Sequence, residues 1–187
     1  HRATGERRRA ADALLLQARP LSCAGRGVEA TAAIDEAAAI LESLGCEDEL
    51  ASVFGEQSAL ALYDDRLAES VALGLRAIEI AERTGDRATL ICALNNAGSA
   101  ELMRGNDAGL SMLERSLALA LEDGREADAG RAYINIVATL GTVHDWRRAG
   151  PHLAEGLAFC RARGLEAWEH CLVGMRAEAD LAAGRFD

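Results

Sequence analysis

The 187-residue chain is half hydrophobic, yet only 4% of it is aromatic and only two prolines interrupt it. Ala and Leu supply most of the apolar content, which favours helix and argues against an all-β sandwich, where β-branched and aromatic side chains are needed. The net charge is −10 and every one of the 20 basic residues is Arg; this excludes a phosphate-loop lysine and Schiff-base chemistry, and leaves no field to gather nucleic acid or anionic lipid.

Nine helices are predicted in chain order. The first, over 4–24, opens on Arg7, Arg8 and Arg9, a basic cluster read as a solvated helix start. After it, Gly25-Arg26-Gly27-Val28-Glu29-Ala30 spells the GxGxxA of a dinucleotide-binding turn. That chemistry needs a strand before the glycines; the preceding LLLQARPLSCA is helical, so these glycines are a turn between helices. Helices over 27–44, 47–63 and 66–84 follow, and in the last of them Val71, Leu75 and Ile78 form an apolar stripe around Gly74 and Ala77. The remaining helices are predicted over 86–104, 107–122, 125–143, 146–163 and 165–183.

A period organises them. Gly45, Gly85, Gly124 and Gly164 lie 40, 39 and 40 residues apart, and each closes a helical stretch, where a left-handed residue ties up the last carbonyls. Small residues keep the same period in three further series: Ala18, Ser58, Gly98, Ala138; Ala30, Ser70, Gly109, Ala149; and Ala37, Ala77, Ser116, Gly156. Each repeat therefore holds a helix A and a helix B, joined at Gly25, Asp65, Gly105 or Asp145. The repeats run over 4–45, 46–85, 86–124 and 125–164, with a partial one over 165–187, in a chain read as a fragment of something longer. A helix pair cannot bury its stripe alone, so stacked neighbours must complete one core.

These residues resemble a tetratricopeptide repeat, which places small residues at three fixed positions. Gly98, Gly109 and Ser116 match them, as do Ser58, Ser70 and Ala77, while Trp146 and Phe186 stand where the family has an aromatic at the start of helix B. The period departs from the family's, being near 40 rather than about 34, and the helix-A Trp and terminal Pro are missing. More specifically, ALNNAGSAELMRGN, LERSLALALEDG and HLAEGLAFCRARGLEAWEHCL resemble the helical-repeat region of LuxR-type ATPase transcriptional regulators. The resemblance implies an all-α, right-handed α-solenoid with a nucleotide-binding domain before it and a helix-turn-helix domain after it. It also implies a cytoplasmic sensing module, on whose concave face a protein, peptide or small effector settles.

Candidate sites are few. His144, His152, His170 and the five cysteines show no HExxH and no zinc-finger spacing. Without a CxxC pair, the cysteines read as reduced, mostly buried thiols of a cytoplasmic protein. No GxSxG elbow occurs, and Asp123 and Glu126 lie in helix-joining turns, where they favour the next helix start. The chain is therefore expected to be non-enzymatic, without metal or cofactor, and to contact neither nucleic acid nor membrane through this region. The resemblance puts Asn95 and Asn135, Ser99 and Thr139, and Met103 and Tyr63 on the inner groove, with Arg19 and Cys23 at equivalent positions of the first repeat. Paired carboxamides can hold a peptide backbone as donor and acceptor at once, or only brace neighbouring helices. Apart from Arg19 the groove has no cation, which disfavours a receptor for acidic peptide tails. The rival function is a passive self-association scaffold without ligand.

Overall fold

The computed structural model describes residues 2–185, without the side chains of Arg2, Ala3, Arg19 and Cys23. Arg19, Cys23 and Phe186, singled out above, thus lie outside the described side chains. Among the described residues there are nine helices and no strand: α1 (Arg2–Cys23), α2 (Gly27–Ser43), α3 (Leu50–Tyr63), α4 (Leu67–Thr84), α5 (Arg87–Met103), α6 (Ala108–Glu122), α7 (Glu126–Thr142), α8 (Trp146–Arg163) and α9 (Glu166–Ala182). The protein is all-α, as its composition requires.

A left-handed residue follows every helix, at positions 25, 45, 65, 85, 105, 124, 144, 164 and 184. The interval is 20 residues, once 19, so the punctuation has half the period read from the glycines alone. The hydrogen bonds explain the placement. Gly25 N–H donates to Ser22 O at 3.0 Å and Arg26 N–H to Leu21 O at 2.9 Å, the paired bonds that close a helix on a left-handed residue. Asp65 and His144 repeat this geometry with φ of 59° each, where the other seven positions are glycine. A side chain there costs about 1–2 kcal/mol, and Asp and His are among the types that tolerate it.

Most helix ends shift by one or two residues from the predicted ones, and two differences have a visible cause. The joint expected at Asp145 falls on His144; Asp145 instead caps α8, its carboxylate accepting the Arg148 N–H at 3.0 Å. Helix α3 begins at Leu50 rather than at 47, because Glu47 and Glu49 accept from Leu50 N–H and Ser52 N–H, both at 3.3 Å, three residues on. Such bonds tighten the chain into turns before the α-helix starts.

The chain divides into two compact units, His1–Ala97 and Gly98–Asp187, so the division cuts α5 rather than a repeat boundary. In the first unit α1, α2, α3 and α4 pack consecutively, and α1 also meets α3. Ala11, Ala18, Ala30, Ile34, Ala37, Leu41, Val53 and Leu60 form its core. The small-residue series mark where paired helices cross. Ser58 of α3 and Ser70 of α4 are fully buried, and each hydroxyl donates to the other's carbonyl at 2.8 Å. Farther along α4, a Cβ on Gly74 would lie 2.7 Å from Ala97 Cβ.

In the second unit α6, α7, α8 and α9 pack consecutively, and α7 also meets α9. Gly98 and Gly109 face each other, and a Cβ on Gly98 would stand 2.8 Å from Gly109 O. Only hydrogen fits between these backbones, which is the physical content of the small-residue rule here. Bulk fills the gaps elsewhere: Tyr133 and Leu172 close over Gly156, and Trp168 of α9 lies 3.0 Å from where a Cβ on Gly130 would be.

Candidate interaction surface

The residues expected on the inner strip fall into two accessibility groups in each unit. In the first unit Tyr63 is 61% exposed, while Asn95 is fully buried. In the second, Ser99 and Thr139 retain only 3% and 5% exposure, whereas Met103 and Asn135 are half-buried. Buried Asn95, Ser99 and Thr139 offer no surface to a partner in this arrangement. Tyr63, Met103 and Asn135 remain reachable.

A carboxamide that braces neighbouring helices stands next to Asn95. Asn96 is 4% exposed and its Nδ2 donates to the Gly55 carbonyl of α3 at 3.2 Å. Near the start of the same helix, Thr89 Oγ1 lies 3.3 Å from Ser52 Oγ. Successive A helices are therefore tied by polar contacts at both ends of their crossing within the first unit. An Asn-Asn dipeptide announces a polar contact in the sequence, but a step of one residue turns a side chain by about 100° around the helix.

Ion pairs stand at three of the helix starts. Arg26 at the start of α2 meets Glu29 at 2.5 Å, Arg66 at the start of α4 meets Glu69 at 2.5 Å, and Arg125 at the start of α7 meets Asp128 at 2.7 Å. The Arg26 hydrogen bond holds Glu29 below its ordinary carboxylate value. Each acid sits in a first helical turn, where the dipole favours negative charge. The basic cluster is also engaged: Arg7 donates to Ser43 Oγ at 3.0 Å and Arg8 pairs with Glu49.

The cysteines were expected to be mostly buried, and among the described ones only Cys160 is fully so. Cys160 is buried, and desolvation pushes its thiol pKa up, so it stays protonated rather than nucleophilic. Cys46 and Cys92 are half-buried and Cys171 is exposed, because α9 buries only Leu172 fully and leaves much of its surface in solvent. Among the described residues no three His, Cys, Asp or Glu side chains converge as a metal site, and no helix is long and apolar enough to cross a membrane.

Two hollows in the first unit were not visible as motifs. One, of about 380 Å³, lies beside α3 and α4, where Arg76 stands 4.0 Å above the Phe54 ring and Arg83 pairs with Asp48 at 2.8 Å. The other, of about 220 Å³, opens between α2 and α4 over α3, with Ile34 and Leu60 beneath and Asp35, Gln57 and Leu73 around it. Neither contains a nucleophile next to a base. No protein-family model matches this sequence, and no curated protein matches it.

Proposed function

We propose that this chain is a non-catalytic interaction module, built as a tetratricopeptide-like right-handed solenoid of about 40 residues per repeat, and that it serves as the sensing part of a LuxR-type ATPase transcriptional regulator. The observation that carries the repeat reading is the left-handed stop after every helix at an interval of 20 residues, once 19. Contacts of α1 with α3 and α7 with α9, and the Asn96 tie from α5 to α3, support stacking of A helices on A helices. An effector that prefers one arrangement of such an array would bias the domains attached to it.

Within this reading a partner meets the reachable inner residues, Tyr63 in the first unit and Met103 with Asn135 in the second. Met103 brings adaptable apolar contact and Asn135 a donor and an acceptor. The test is photo-crosslinking from a benzoylphenylalanine placed at 103 or 135 in cells. A crosslinked heterologous partner is expected; crosslinks only between copies would replace this reading with a self-association scaffold. Sequencing the gene on either side tests the regulator assignment, which expects GxxxxGK[ST] upstream and a helix-turn-helix downstream.

A further inference from the structure

The two units treat one position of the repeat differently. Counting from Ala30, Ser70, Gly109 and Ala149, the fifth residue onward is Asp35 in α2 and Glu114 in α6, and the third onward is Leu73 in α4 and His152 in α8. In the second unit His152 Nε2 reaches back to within 3.5 Å of Glu114 Oε1, so one B helix supplies a nitrogen base to the acid of the B helix before it. In the first unit the equivalent acid, Asp35, faces a hollow whose far wall carries Leu73. Among the described residues Asp35 makes no ion pair or hydrogen bond, and the half-buried Gln57 amide beside it makes none either.

We infer that this hollow on the B-helix side of the first unit is a docking site for one arginine or lysine side chain of a basic partner peptide. Ile34, 1% exposed, and Leu60, 8% exposed, give the floor on which an aliphatic stem can lie. Asp35 and the Gln57 carbonyl are acceptors for the cationic head. The local charge is complementary: the charged lining is Asp35, Glu69 and Arg66, and Arg66 is already paired with Glu69 at 2.5 Å, which leaves the Asp35 carboxylate uncompensated. An anion would be repelled there. A volume of about 220 Å³ is below the roughly 300–1,000 Å³ of small-molecule pockets, so a single side chain is the fitting occupant. The site goes beyond the proposed function and does not depend on it, since it uses none of Tyr63, Met103 or Asn135.

The test uses the 187-residue chain and three fluorescein-labelled pools of random nonapeptides, fixed at the centre as Arg, citrulline or Glu, read by anisotropy. The Arg pool is expected to bind saturably and to weaken as salt is raised. The uncharged citrulline pool and the Asp35→Asn variant with the Arg pool should each lose roughly tenfold, the worth of one charged hydrogen bond. Leu73→His, which installs the second unit's own arrangement, should compete with the visitor and weaken binding with the melting temperature retained. Equal binding of Arg and citrulline pools, full binding by Asp35→Asn, or no binding by any pool overturns the inference. Crosslinks from positions 103 and 135 are scored separately, so either reading can fail without the other.

Discussion

Gly98→Ala is the most discriminating perturbation of the packing. It adds one carbon whose position lies 2.8 Å from Gly109 O, 3.0 Å from Met112 Cβ and 3.1 Å from Leu113 Cγ. The first of these is backbone of α6, so no rotamer change relieves it; the helices must separate. Overpacking of this kind costs about 1–3 kcal/mol, while exchanging Gly for Ala inside a helix returns about 1 kcal/mol. The net is a loss of about 1 kcal/mol, or a fall of about 2–4 °C in Tm. Gly174→Ala in α9 is the matched control, because nothing stands within 4 Å of its added carbon. That variant keeps the propensity gain without the clash and should be more stable by about 0.5–1 kcal/mol. Thermal melts and urea titrations followed by far-ultraviolet circular dichroism read both. If Gly98→Ala stabilises as Gly174→Ala does, the close crossing of α5 and α6 at Gly98 and Gly109 is refuted.

Ser58→Ala should destabilise by about 1–3 kcal/mol, because it strips a reciprocal hydrogen bond from a buried crossing; combining it with Ser70→Ala should cost less than the two losses summed, and strict additivity in urea titrations would contradict the pairing. The Asp145 carboxyl is held below its ordinary value of 3.8, first by the Arg148 backbone N–H and next by its guanidinium. A lowered folded pKa gives stability that is complete above the unfolded value and lost as pH falls through the folded one. Asp145→Asn should therefore melt below the parent at neutral pH, with a gap that closes as pH drops beneath 3.8; a gap independent of pH would count against the cap. The isolated chain should neither hydrolyse ATP nor bind duplex DNA, having no Lys and a net charge of −10, and measurable turnover or salt-sensitive operator binding would overturn this.

What the sequence by itself determined was everything that depends on neighbours along the chain. Helical spacing around Gly74 and Ala77 and the terminal glycines at 45, 85, 124 and 164 suffice to place nine helices, because propensity and end-capping are local. The joints halfway between them were legible at Gly25, Asp65 and Gly105, and only the fourth slipped by one residue, to Asp145 from His144. The spacing of the small residues was legible too, but not that Ser58 and Ser70 would exchange hydrogen bonds while Gly98 and Gly109 would put backbone against backbone. Accessibility belongs wholly to the tertiary structure. Asn95 and Met103 share a helix, yet one is buried and the other half-exposed, since a rotation of about 100° per residue decides which neighbour each meets. The hollow at Asp35 is of the same kind. An acid is visible in the sequence, but whether it is answered by a histidine or left facing Leu73 depends on which helix packs across from it, and that contact spans a separation along the chain that no local pattern encodes.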